Sequence, residues 1–315
     1  MAWMVLFLGL LGPAHICAEA GATKLKAYTW FRYTMGTKGG DIEKSQFAVK
    51  RGYLRWEHKF SDAVRSRVTV DIFSSDEGPH GAGLKLKDAY VEFKVAPEVE
   101  LKAGLQKTYF GLIYDWEYIT VEKALEDKQK LVASRDYGIS VGGYLPQGYG
   151  EWRLEVANGE GYNKAGKDVD ESPAYLANLR VIPIPGITVG ASLLKEGGDR
   201  LLVAGTGRAV LGPAEVWSEF LRSEKGDVVS LGFMLMPVFG IHPKVDIVSR
   251  CDYWDKDVDE DGDSLTRYIA GLNYYLIREP KVMVQAFWER ERQEGEDPED
   301  ELSIQLRWEF ASGKF

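Results

Sequence analysis

The stretch "LKLKDAYVEFKV", residues 84–95, decides how the chain is read. Taken at every second position from Lys87, one set is Lys87, Ala89, Val91, Phe93 and Val95, apolar after its first member. The other, Asp88, Tyr90, Glu92 and Lys94, is polar throughout. A period of two belongs to a strand whose faces meet different solvents. The pattern returns. In 65–73, Ser66, Val68, Val70 and Ile72 oppose Arg65, Arg67, Thr69 and Asp71; in 244–253, Val245, Ile247, Ser249, Cys251 and Tyr253 oppose Lys244, Asp246, Val248, Arg250 and Asp252. In 301–310, Leu302, Ile304, Leu306, Trp308 and Phe310 oppose Ser303, Gln305, Arg307 and Glu309. Repeats of about ten residues, apolar on one side and charged on the other, are the signature of a transmembrane β-barrel.

Spacing extends the argument. Sixteen strands are expected near 24–34, 46–59, 63–73, 84–95, 99–109, 136–144, 149–157, 174–182, 187–194, 200–210, 213–222, 228–236, 244–253, 266–276, 281–291 and 301–310. Odd strands are followed by polar loops such as "GTKGGDIEKS" (36–45), "KEGGD" (195–199), "SEKGD" (223–227) and "DKDVDEDGDS" (255–264), even strands by tight connectors such as "APE", "LPQG", "PIPG" and "REP". Short turns at one end and longer loops at the other suit an up-and-down barrel with both termini on the short-turn side. A soluble sandwich or propeller also has half-buried strands at this spacing, but no blade-length repeat is visible and the Pro clusters fall in connectors. Tyr53, Trp56, Tyr109, Trp217, Tyr253, Trp254, Trp288 and Trp308 lie near strand ends, where interfacial girdles are expected.

Composition agrees. The 315 residues are 45% hydrophobic and 28% charged, enough apolar surface for a folded chain. A net charge of -9 argues against nucleic acid as a partner. The opening "MAWMVLFLGLLGPAHICAEA" is an apolar run, a Gly-Pro break and a small-x-small site before Gly21, expected to be a signal peptide over 1–20. The run is shorter than the roughly 18–20 residues of a helical span, and bulky Ile16 before Cys17 argues against lipidation. Removal of the peptide leaves Cys251 as a lone thiol.

Several segments resemble the phosphate-selective porin O and P family: "FAVKRGYLRW" (47–56), "LKDAYVEFK" (86–94), "ELKAGLQKTYFG" (100–111), "SRDYGISVGGY" (134–144), "VANGEGYN" (156–163), "AGLNYYL" (270–276) and "SIQLRWEF" (303–310). They fall in the family's order. The chain is short for that family and ends "ASGKF", leaving Phe315 or Phe310 as the terminal aromatic. The resemblance implies a homotrimeric outer-membrane channel, in contact with the lipid bilayer and lipopolysaccharide, whose third outer loop folds inward and which passes small solutes or ions.

The expected lumen face is mixed. Arg51, Arg55, Arg65, Arg67, Arg180 and Arg250 stand beside Asp88 and Glu92, with Asp71, Glu155, Glu219, Asp246 and Glu289 also inward. A basic patch on the second and third strands would favour anions locally; salt-bridged charges filling a polar interior are the structural alternative. The long connector 111–134 has Val121, Ala124, Leu125, Lys128 and Val132 at helical spacing, leaving Glu122, Lys123, Glu126, Asp127 and Lys130 toward water, so a short helix is expected near 120–130. Its aromatics suit a loop packed on the inner wall, with Lys123, Lys128, Lys130 and Arg135 lining a constriction.

Enzymatic readings find little support. His58, His80 and His242 have no Ser or Cys motif beside them that makes a triad legible, and paired carboxylates without geometry do not make a glycosidase. No cofactor is expected beyond weak calcium: Asp257, Asp259 and Asp261 before Gly262 copy the first half of a calcium loop, but Tyr268 stands where the bidentate Glu belongs. Two functions remain, a passive porin for small, anionic solutes and a non-conducting barrel with an envelope-structural or adhesion role.

Overall fold

The computed structural model describes residues 21–164 and 172–312, so the expected signal peptide and Phe315 lie outside the described residues. The strands are β1 (Ala22–Lys38), β2 (Asp41–Lys59), β3 (Val64–Ser74), β4 (Ala82–Ala96), β5 (Val99–Lys107), β6 (Arg135–Tyr144), β7 (Gly150–Ala157) and β8 (Ala174–Ile184). They continue with β9 (Ile187–Glu196), β10 (Arg200–Leu211), β11 (Ala214–Lys225), β12 (Val228–His242), β13 (Val245–Asp255), β14 (Leu265–Ile277), β15 (Val282–Gln293) and β16 (Glu299–Ser312). Each pairs antiparallel with its chain neighbours, and β1 pairs with β16, closing a barrel of sixteen strands. Closure leaves no open edge, the condition for strands to cross hydrocarbon.

The alternation resolves as read. Val68, Ile72, Phe93, Leu235, Ile247, Ile304 and Leu306 point outward and are exposed, whereas Thr69, Asp71, Asp88, Arg250, Asp252, Ser303 and Gln305 are buried inside. Leaving each large apolar side chain in water forfeits about 1.5–3 kcal/mol, so this outer wall fits lipid rather than solvent.

Four details depart from the sequence reading. The polar stretch 36–45 is not a loop: β1 and β2 continue through it to a turn at Gly39–Gly40, with Lys38 opposite Asp41. Likewise β9–β10 and β11–β12 join through tight Gly turns, since Gly197 and Gly226 supply the left-handed φ of 57° and 60° that such turns need. The girdle is only partly where expected. Trp56 and Trp288 face outward, but Trp217 and Trp254 are buried inside, and Tyr53 and Tyr109 also face the lumen, where they meet Arg51 and Lys102. Finally, β-bulges interrupt the period of two. Register slips between Trp30 and Phe31 opposite Lys50, and between Thr69 and Val70 opposite Lys87. A bulge puts an extra residue on one face, so Lys50 joins Arg51, and Lys87 joins Asp88, inside the barrel. Lys87 thus leaves the apolar set to which its position assigned it.

The outward register is testable. Val91→Arg places a cation on the lipid face, at a cost that reaches about 2–4 kcal/mol at the midplane and falls off toward the short-turn end where Val91 lies. Glu92→Arg sits on the inner face, where Glu92 now meets Lys102 at 3.3 Å. Urea titration of the barrel in lipid vesicles is expected to show the Val91 variant as clearly the less stable; equal losses would contradict the register.

Candidate functional site

The segment 108–134 leaves β5 and crosses the barrel interior before β6 begins. It carries a 3-10 turn at Ile113–Asp115 and one α-helical turn, α1, at Leu125–Lys128. This helix is shorter than expected: Ala124 is extended, with ψ 154°, so the helix starts only at Leu125, and Lys130 with a left-handed φ of 58° ends it. Irregular backbone inside a barrel must find hydrogen-bond partners. The wall supplies them. Arg32 donates to the Val121 carbonyl at 2.8 Å, Arg250 to Lys123 O at 2.7 Å, Asn273 to Ile119 O at 2.9 Å and Arg307 to Glu117 O at 3.0 Å. In the other direction, the Gly111 and Leu112 N–H groups donate to Ser192 Oγ at 3.0 Å and Glu219 Oε1 at 2.9 Å.

One side of the loop is dry. Phe110, Leu112, Val121 and Leu125 belong to one buried apolar cluster with the inward residues Leu202, Leu221, Met234, Met236, Val248 and Ile269. Arg250, expected to line the pore, is instead buried at this interface. It holds Asp252 through two bonds of 2.7 and 2.8 Å, stacks on Trp116 at 5.1 Å and shares Asp252 with Arg267. It is a clamp for the loop. Glu126, expected to face water, is enclosed as well, and Glu122 is half-buried. Burial alone would raise the Glu122 pKa, but Lys128, bonded at 2.6 Å, and Arg267 override it and hold the carboxyl at about 2. Glu126 is fully buried and accepts the Ile113 N–H at 2.5 Å.

The other side of the loop, toward β2–β6, is polar and hollow. A cavity of about 200 Å³ is lined by Arg51, Arg55, Lys87, Lys107, Arg135 and Arg307 against only Glu117 and Asp127. A second, of about 240 Å³ and nearer the long-loop end, is lined by Lys50, Arg51, Lys85, Lys87 and Lys123 against Asp71 and Asp127. Arg51, Lys87, Asp127 and Ser134 line both, so the cavities abut at this narrowing. Stacking fixes the Arg51 guanidinium, whose centre lies 5.2 Å from the Trp30 ring and 4.9 Å from that of Tyr118, with the Tyr118 hydroxyl 2.6 Å away. Tyr118 has a φ of 54°. A bulky residue there costs of order 1–3 kcal/mol and persists only where its surroundings hold it.

Arg51, Arg55, Arg135 and Lys123 are thus brought to one tract. Asp88 lies in it too, bonded to Arg135 at 2.7 Å and 3.8 Å from Arg55. The other expected residues are elsewhere. Arg67 pairs with Glu57 at 2.8 Å, Arg65 and Glu92 stand at the short-turn mouth, and Arg180 holds the loop through Asp115 at 2.8 Å. Lys128 faces away from Arg51 toward Glu122 and Glu289, and Lys130 is exposed at the end of α1. Sequence reasoning missed Lys50, Lys85, Lys87, Lys107 and Arg307. Lys50 and Lys87 were hidden by the bulges. Among the described residues, no three His, Cys, Asp or Glu side chains gather into a metal cage, Asp257, Asp259 and Asp261 included.

If Arg250 clamps the loop, Arg250→Ala breaks a buried pair and costs about 3–5 kcal/mol. The expected result is a lowered thermal midpoint in detergent together with new protease cleavage within 111–134. Unchanged protection of the loop would show that the clamp is dispensable.

No protein-family model matches the chain, and no curated protein matches it in sequence. Solved structures do match in shape. They include a trimer form of the outer membrane protein OmpT of Vibrio cholerae (10% identity, 93% of this chain and 100% of that one, TM-score 0.63). The outer membrane channel DcaP of Acinetobacter baumannii aligns at 12% identity over 92% of this chain and 97% of that one, with a TM-score of 0.67. An anion-selective porin from Comamonas acidovorans aligns at 11% identity over 92% and 100%, with a TM-score of 0.66. The chain has the fold of the outer-membrane porins.

Proposed function

We propose that the protein is an outer-membrane porin through which small anionic solutes diffuse between the loop and the β2–β6 wall. The observation that carries this reading is the pair of abutting cavities with Arg51 and Lys87 at their junction, six cations facing two carboxylates in one and five facing two in the other. Asp88 partly pairs Arg135 and Arg55, and Asp71 stands 3.9 Å from Arg51, but the cations still outnumber the carboxylates, and such an excess in a narrow, low-dielectric passage concentrates anions and repels cations. The reading involves no catalytic step. Membership of the phosphate-selective porin O and P family rests on the quoted motifs, and a homotrimer on the trimer form of OmpT with the same fold. Contact with lipopolysaccharide through bridging divalent cations is part of the same proposal, and what supports it is the exposure of Asp259 and Asp261 on the 256–264 loop.

A second reading keeps one observation in its favour. The apolar cluster fills much of the lumen, and the remaining cavities are small. A barrel closed in this way would serve the envelope as structure or adhesin. Planar-bilayer recording separates the two. Ohmic steps with a reversal potential on the anion side support the porin, and folded protein without steps supports the closed barrel.

Within the porin reading, deleting 115–130 removes the lumenal obstruction and is expected to enlarge the conductance step. Replacing Lys50 and Lys87 by Glu should move the reversal potential toward cations. Selectivity unmoved by that double reversal would place the ion path elsewhere.

A further inference from the structure

Where the loop meets the dry wall, two carboxyl groups lie together with one side of each left open. Glu126 of α1 is 0% exposed and Glu219 of β11 is 3% exposed. Each spends one oxygen on the loop backbone: Glu126 Oε1 accepts the Ile113 N–H and Glu219 Oε1 the Leu112 N–H. The second oxygen of each is fully buried and has no other protein donor. Both Oε1 atoms close on Gly111, where an added Cβ would stand 2.5 Å from one and 2.8 Å from the other.

Two carboxylates in contact cannot both keep their charge, because repulsion and burial both oppose the second ionisation. The surroundings offer little relief. Arg250 on β13 is the charged group that could compensate, but it is committed to Asp252, which Arg267 of β14 also shares. Asp127, next on the loop, adds a further negative charge. Ser192 on β9 and Asn178 on β8 are neutral, and Leu221 and Met234 are apolar.

We propose that Glu126 and Glu219 share one proton and form a pH-dependent latch that fixes the constriction loop to the barrel wall. Resting on the porin reading, the latch makes the aperture a function of pH. The proton joins two oxygens that would otherwise repel, and its loss to hydroxide leaves two adjacent anions inside an apolar cluster. Burial also pushes the Glu126 carboxyl above its ordinary range. A carboxyl raised in the folded state contributes stability that is complete in acid, below the unfolded value, and is lost as pH rises toward the folded one. The latch is therefore tight in acid and loosens in alkali.

The test uses the intact protein and Glu219→Gln, whose amide donates and accepts in the same places without a titrating proton. Where that variant does not fold, Glu126→Gln takes its place. Single-channel conductance recorded from neutral to alkaline pH is expected to change reversibly in the wild type, and the variant is expected to lose the part of that change that the shared proton supplies. Titrating lysines and tyrosines are common to both proteins and cancel. At neutral pH, the infrared spectrum of the wild type minus that of the variant should show a protonated-carboxyl C=O band, since other buried carboxyls are common to both. Identical pH profiles, or identical carboxyl bands, overturn the latch. A wild type that is silent at every pH counts against the porin reading, while the infrared comparison still decides the shared proton.

Discussion

The structure depends on one requirement: the irregular backbone of 108–134 lies inside a closed barrel and must have its N–H and C=O groups satisfied there. A bare inner wall of alternating polar residues would not do this. The wall instead places Arg32, Arg250, Asn273, Gln285 and Arg307 opposite loop carbonyls, and Ser192 and Glu219 opposite loop N–H groups. These partners come from strands spread round much of the barrel. The loop is consequently held across the lumen instead of hanging into it.

That placement divides the interior. Against β9–β15 an apolar cluster of inward residues, set among buried polar ones such as Glu219, Asp252 and Arg267, closes on Phe110, Leu112 and Leu125 as a core would. Against β2–β6 the inward positions are polar, with Lys50, Arg51, Arg55, Lys85 and Lys87 beside Asp71 and Asp88, and the aromatic rings of Trp30 and Tyr118 hold Arg51 in place rather than filling space. Burying the apolar flank of the loop stabilises it, while the opposite flank remains hydrated. Charge is divided in the same way: Lys128 turns toward the acidic wall of Glu289, whereas Asp127, one position earlier, faces Arg51 and Lys87.

The strands were legible because lipid and lumen impose opposite demands on successive residues, as Ile304, Gln305 and Leu306 show. The inward loop was legible from its length and its aromatics. The bulges at Lys50 and Lys87 were not, since an inserted residue leaves the composition of a strand unchanged and shifts only its phase. The dry half of the lumen did leave a signal. "LGFMLMPVFG" (231–240) is apolar on both faces, the pattern of a strand buried on both sides, and β12 places Met234 and Met236 inward against the cluster. The burial of Glu126 and Arg250, and the half-burial of Glu122, had no such sign, because both depend on which wall the loop meets.

The central claim is that water occupies the flank of the loop facing β2–β6 and is excluded from the apolar cluster on the other. Thiol accessibility measures this directly. In a Cys251→Ser background, single cysteines at Lys50 and Lys87 are expected to react with a small water-soluble thiol reagent in the folded, membrane-inserted protein. Cysteines at Leu221 and Met236 are expected to remain unmodified until the barrel is denatured. Equal modification at all four positions would mean that the lumen is open on both sides of the loop, and would contradict the division on which this account rests.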